Sequence, residues 1–176
     1  MTTLLLIDAL CARLKQLFTG YSLLNKLGVL QEVKIFAQYT PQPAGISINS
    51  PNAGLTNYAN EDYENNFPCI VVKLVESIDD EENRINQSTA RVKFLTGIYD
   101  DKPECQGWRD ILNIHERIRE DFYVNRVTAE RYRLNMPVKA KLYDVETWPV
   151  YFGEMDLVFE VGRPVMKEYI YRGRRL

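Results

Sequence analysis

The chain has 176 residues, with 22 Lys and Arg against 24 Asp and Glu and 45% hydrophobic residues, enough apolar material for one domain with a real core and barely enough for two. A formal charge of −2 argues against a general nucleic-acid binder, whose footprint is a basic surplus. No apolar run approaches the ~20 residues of a membrane span, and the opening from Met1 to Asp8 has no early basic residue and an Asp inside its apolar run, against a secretory signal. At this level the chain reads as a soluble protein made and folded inside the cell.

Ile7, Leu10, Cys11, Leu14, Leu17, Phe18 and Tyr21 recur at the spacing of one helical stripe. Thr3 is placed to cap that helix through its hydroxyl. Gly20 is expected to interrupt it, and Gly28 to end a shorter second helix over Tyr21 to Leu27. Val33 to Ala37 reads as a short strand.

From Ala37 to Asn66 no period of 2 or 3.6 survives. The segment holds Pro41, Pro43 and Pro51 and six asparagines, and a polar stretch of this length is uncommon inside a compact domain. It reads either as a surface loop or as one that orders against a neighbouring subunit, with Tyr39, Tyr58 and Tyr63 as its contact residues.

Regular patterning returns after Pro68. Cys69 to Glu76 is a strand apolar enough to be buried on both faces over part of its length. A charged connection over Ser77 to Gln87 contains four successive carboxylates, Asp79, Asp80, Glu81 and Glu82. Ser88 to Tyr99 is the return strand, with Ala90, Val92, Phe94, Thr96 and Ile98 on one face and Arg91 and Lys93 on the other, the alternation of an antiparallel sheet with one wet side.

Pro103 suits the first turn of a second main helix, whose buried stripe is predicted as Trp108, Ile111, Leu112, His115, Ile118 and Phe122. Val138, Ala140 and Leu142 then alternate with Lys139, Lys141 and Tyr143. Met155, Leu157, Phe159 and Val161 alternate with Glu154, Asp156, Val158 and Glu160, after a bend marked by Pro149 and Gly153. The predicted fold is α+β: one domain over 1–176, an antiparallel (mixed) sheet of about four to five strands, and an N-terminal and a second main helix packed on one face. A polar loop over 37–66 and a basic tail over 163–176 complete it.

Residue chemistry points away from the common catalytic sites. Cys11, Cys69 and Cys105 are odd in number and widely spaced, which is neither a disulfide framework nor a zinc motif. Cys11 and Cys69 fall in apolar runs and read as small buried hydrophobes. No glycine-rich phosphate loop is present. His115, the sole histidine, lies on an apolar helical stripe and reads as a packing residue with a local hydrogen bond, without the partner spacing of a triad. The Asp79–Glu82 run lacks the alternating ligands of an EF-hand and reads first as a solvated hairpin tip, with calcium or a basic partner as alternatives. The tail carries Arg163, Lys167, Arg172, Arg174 and Arg175 around Tyr169 and Tyr171. Such a segment suits nucleic acid, an acidic protein surface, the acidic tip of another copy, or simply solvent.

Taken together, the stretch from Phe67 to Val161 resembles the tail-terminator (tail-completion) proteins of long-tailed phages and phage-derived tail particles. The features that carry the likeness are Phe67-Pro-Cys-Ile-Val-Val72, the charged tip and the long return strand to Tyr99. The Gly107-Trp108 helix with Ile114-His-Glu-Arg-Ile-Arg119, then Trp148-Pro-Val-Tyr-Phe-Gly153 and the alternating strand to Val161, complete it. An amphipathic N-terminal helix also fits the family's order. The resemblance implies a non-enzymatic structural protein without cofactor or metal. Copies form a ring, usually a hexamer, on the last ring of the tail tube, end its growth and present a docking surface to neck or head-completion proteins. A sheath protein is a further partner where the tail contracts, and DNA passes through the lumen without sequence-specific binding. The expected location is the virion tail or neck, after assembly in the host cytoplasm. Interface residues expected on this basis are Tyr39, Tyr58, Tyr63, Asp79, Asp80, Glu81, Glu82, Tyr169, Tyr171, Arg172, Arg174 and Arg175. Rival expectations are a head-completion or stopper ring protein, a small nucleic-acid-binding module using the tail, and a carboxylate-dependent hydrolase built on the acidic run.

Overall fold

In the computed structural model, which describes residues 3–41, 65–79, 87–143 and 148–162, the first stripe forms as its spacing requires. Leu6, Ile7, Leu10, Cys11 and Leu14 are buried along helix α1 (Thr3–Leu17), Phe18 is buried just beyond it, and Leu17 and Tyr21 pack partly against the same core. Thr3 is already helical rather than standing before the helix as its cap. Gly20, at φ +76°, turns the chain out of the helix as expected.

The second short helix does not form. Residues 22–32 make a hairpin instead, β1 (Ser22–Leu24) antiparallel to β2 (Leu30–Glu32). The turn explains why. Asn25 Oδ1 accepts from the backbone N–H groups of Leu27 at 2.9 Å and Val29 at 3.0 Å, its Nδ2 donates to Gln31 Oε1 at 3.0 Å, and Gly28 sits at φ +70°. An Asn side chain that bonds the backbone two residues on competes directly with helix.

Beyond the hairpin, β3 (Lys34–Ala37), β4 (Cys69–Asp79), β5 (Gln87–Tyr99), β6 (Val127–Thr128), β7 (Tyr132–Leu142) and β8 (Val150–Gly162) form one six-stranded mixed sheet in the order β3-β4-β5-β8-β7-β6. The strand count exceeds the expected four to five. β3 is the short strand expected over Val33 to Ala37, and the unexpected one is β6 at the opposite edge. β3 pairs parallel to β4 while every other neighbour is antiparallel. The two long hairpins, β4–β5 and β7–β8, join through thirteen successive pairs from Gln87↔Gly162 to Tyr99↔Val150.

Helix α2 (Gly107–Val124) begins four residues after Pro103, which lies in the turn ahead of it. Its buried stripe is Gly107, Ile111, Ile114, His115, Ile118 and Phe122. Trp108 and Leu112, expected inside, are 38% and 43% exposed, because the stripe turns toward Ile114. Gly153 is not at a bend but inside β8, paired with Thr96 and Leu142. A Cβ there would lie 2.6 Å from Ile111 Cγ2 and 3.0 Å from His115 Cε1, so glycine lets α2 approach the sheet. Ala140 lies beside Met155 on the inner side, as the alternation implies, but is exposed there.

One core holds these layers together. Side chains of α1 and α2 interdigitate with Ile70 and Val72 of β4, Ala90, Val92, Phe94 and Ile98 of β5, Tyr132 and Leu134 of β7, and Met155, Leu157, Phe159 and Val161 of β8. Both helices therefore cover the same face. Arg13 ties them: its guanidinium donates to Asp121 Oδ2 at 2.7 Å, to the Asp121 and Asn125 carbonyls and to Thr128 Oγ1, and lies 3.9 Å over the Phe122 ring. A cation thus sits on carbonyls at the end of α2, where the helix dipole also favours it.

Candidate functional site: the open face of the sheet

Among the described residues no helix covers the second face of the sheet, and strand register dictates what that face displays. Directly paired residues share a side. Cys69, Val71 and Lys73 of β4 lie beside Gly97, Leu95 and Lys93 of β5, and those beside Phe152, Glu154 and Asp156 of β8. Glu154 and Asp156 lie in turn beside Lys141 and Lys139 of β7. The face is apolar toward one end and charged across its middle.

The apolar end is an open groove of about 490 Å³ whose walls include Tyr39, Phe67, Val71, Leu95 and Phe152, with Lys73 and Tyr143 at its polar side. Phe67 and Phe152 meet edge to face, ring centres 5.8 Å apart. Gly97 is obligatory between them, since a side chain there would run into the Phe67 ring. Lys73 Nζ stands 5.7 Å from the centre of the exposed Tyr39 ring, a cation–π geometry.

The charged middle is organised around Glu154, only 3% exposed. Its carboxylate accepts from Lys93 Nζ at 3.1 Å on both oxygens, from Lys141 Nζ at 2.9 Å and from the Tyr143 hydroxyl at 2.7 Å. Burial alone would raise its pKa, but the bonds from Tyr143, Lys141 and Lys93 overcome that and hold it down at about 2. The bond to Glu154, with burial, pushes Tyr143 up to about 12. Alongside, Arg91 meets Asp156 through two guanidinium contacts of 3.0 and 3.3 Å. With its oxygens taken by three donors, Glu154 is a fixed ion at neutral pH that orients two ammonium groups.

A second cleft lies at the same end of the sheet, on the helix side. Ser22, Leu24 and Leu30 of the β1–β2 hairpin line it together with Asp100, Glu104, Asp110 and Lys102. Burial and then the neighbouring Asp100 raise the Asp110 pKa. The hairpin carries Leu24, Leu27, Val29 and Leu30 at 40%, 76%, 56% and 69% exposure.

Of the residues expected at an interface, Tyr39 and Asp79 lie among the described residues. Tyr39 is on the groove wall. Asp79 ends β4 at the opposite end and accepts a hydrogen bond from the Ser88 hydroxyl. They are not brought together. Tyr58, Tyr63, Asp80, Glu81, Glu82, Tyr169, Tyr171, Arg172, Arg174 and Arg175 lie outside the described residues, as do most of the 37–66 loop and the whole 163–176 tail. His115 is buried between α2 and the sheet, its Nε2 3.2 Å from Thr96 Oγ1, and burial lowers its pKa to about 4. Cys11 and Cys69 are buried and Cys105 is exposed, all three free. Among the described residues no three His, Cys, Asp or Glu side chains gather as a metal site.

Sequence reasoning missed the Glu154 cluster and the groove. Lys93 and Glu154 lie 61 positions apart, and only the β5–β8 register joins them. A signal was present in Glu154, Lys93 and Lys141, each on the wet side of its alternation, but not in which would pair. A scan against models of known protein families and a search of curated proteins both find no match to the chain.

Proposed function

We propose that the chain is a structural virion assembly protein of the tail-terminator kind: it forms a ring on the end of the tail tube, stops further addition of tube subunits, and offers the docking surface for the neck or head. The reading starts from the sequence resemblance over Phe67–Val161. The observation that carries it furthest is the one-sided sheet. Both helices sit on one face, and the other holds a preformed apolar groove beside locked charges. A protein that works by contact needs such rigid, partly apolar surface, and a small domain with distinct surfaces on its two sides suits the head-to-tail contacts that close rings. On this reading the ring is a hexamer, the tube and neck proteins are its partners, a sheath protein joins them in a contractile tail, and its place is the virion, after assembly in the host cytoplasm.

Mass by light scattering tests it, on the purified protein alone and then with its tail-tube protein. A discrete ring, or a ring formed on tube ends that halts their growth, is the expected result. A monomer indifferent to the tube overturns the proposal.

A further inference from the structure

Two features of the surface are left uncovered by the described residues of a single copy. One is the β1–β2 hairpin, where Leu24 and Leu30 are register partners on one side of the ribbon and Leu27 and Val29 sit at the turn. It is an apolar knob on a stiff stem: Asn25 braces the turn with three side-chain hydrogen bonds, and Asn25 N–H donates to Val29 O at 2.9 Å. Solvent-exposed leucines held this firmly mark a contact site, and a contact element already fixed in shape loses little entropy on docking.

The other is the open-face groove, whose volume of about 490 Å³ is in the range of sites that enclose a compact apolar group. No hairpin residue lines it in the same copy. The hairpin lies instead against Asp100–Asp110 on the helix side. A copy therefore cannot fill its own groove with its own knob.

The flanks of the two features are opposite in charge, although the turn itself carries Lys26. Carboxylates of Asp100, Glu104 and Asp110 stand beside the knob with Lys102 as the one ammonium lining that cleft. Lys73 lines the groove, and Lys93, Lys141 and Lys139 follow it across the sheet around Glu154 and Asp156. Complementary fields of this kind set orientation and speed of docking.

We propose that the β1–β2 hairpin of one copy seats in the open-face groove of the next, with its acidic flank against the lysines of that face. This contact rests on the ring reading above and specifies the interface. It is heterologous, since knob and groove are different surfaces, and repetition around an axis closes it.

A mixing experiment isolates the contact. Leu27→Asp spoils the knob and leaves the groove. Leu95→Trp fills the groove and leaves the knob, at a half-buried position; if it does not fold, Tyr39→Asp at the exposed rim replaces it. Each variant alone is expected to lose self-association by about 30-fold or more, as at a central interface residue, while melting like the wild type by circular dichroism. Their equimolar mixture is expected to give 1:1 dimers that grow no further, because one intact contact forms and both free ends are spoiled. Where the wild type assembles only on tube ends, a Leu27→Cys/Leu95→Cys pair in a Cys105→Ser background is oxidised there, and a ladder of covalent multimers is expected.

Wild-type rings with fully assembling variants, single variants blocked but no dimer in the mixture, or no ladder on capped tubes, each overturns this contact and leaves the ring reading standing. Loss of tube binding with rings intact does the same, placing the tube in the groove. A wild type that never assembles, with or without the tube, overturns both.

Discussion

Lys93 reaches both carboxylate oxygens of Glu154 at 3.1 Å from the strand next door, on the side of the sheet that the helices leave bare. The Glu154 carboxyl, held at about 2 against an ordinary 4.5, binds its proton less readily in the folded chain than in the unfolded one. Its contribution to stability is present above the unfolded value and is lost as pH falls from 4.5 toward 2. Glu154→Gln is expected to cost about 1.5–3 kcal/mol at pH 7, the range for charge-assisted hydrogen bonds. The gap from wild type should narrow at pH 3. Urea melts at the two pH values measure this, and an equal gap at both contradicts it.

His115 works in a higher window. Its folded pKa of about 4 lies below the ordinary 6.5 because burial disfavours the charged ring, so the unfolded chain takes up the proton first. Stability falls as pH drops from 6.5 to about 4. Since His115 is the sole histidine, its ring resonances can be followed without assignment. They are expected to titrate near 4 in the native protein and near 6.5 in urea.

Gly153→Ala is expected to destabilise by about 1–3 kcal/mol, the usual cost of overpacking, because its Cβ would sit 2.6 Å from Ile111 Cγ2 and 3.3 Å from the Lys141 carbonyl. Gly20→Ala makes an instructive comparison. Nothing lies within 4 Å of its Cβ, so the expected cost there, about 1–2 kcal/mol, is that of the left-handed backbone alone. Thermal denaturation of the two variants ranks them.

Arg13→Ala should cost about 2–3 kcal/mol, through loss of a charge-assisted pair and of bonds to backbone carbonyls. Arg13→Lys is expected to recover less than half of that, since one ammonium cannot span Asp121, Asn125 and Thr128 as the guanidinium fork does. Full recovery by lysine would show that charge rather than geometry joins α1 to α2.

Much of this fold was legible where one period held without interruption. The two faces of β5 and β8 follow from strict alternation, and α1 from its stripe. The failures are places where a local bond or a distant neighbour decided. Asn25 and Gly28 closed a turn inside an apolar run that could equally be helical. On α2, Leu112 and Ile114 are both aliphatic, and only the position of the sheet selects the isoleucine. Gly153 reads as a turn until Ile111 is seen above it. The candidate site was less legible still, since its groove and its buried carboxylate exist only once β5 lies beside β8, while most of the tyrosines and charges singled out in the sequence fall outside the described residues.

That central pairing also fixes an order of events at the ribosome. β5 ends at Tyr99, and its partner runs from Val150 to Gly162. At ~5–20 residues per second of synthesis, the nascent chain carries the finished edge of β5 for roughly 3–13 s before β8 has been made. Through that interval Val92, Phe94 and Ile98 lack their β8 neighbours, and a bare strand edge is an invitation to pair with other chains. Arg91 and Lys93, alternating with those apolar residues along the same edge, keep two positive charges on it until Asp156 and Glu154 arrive to meet them.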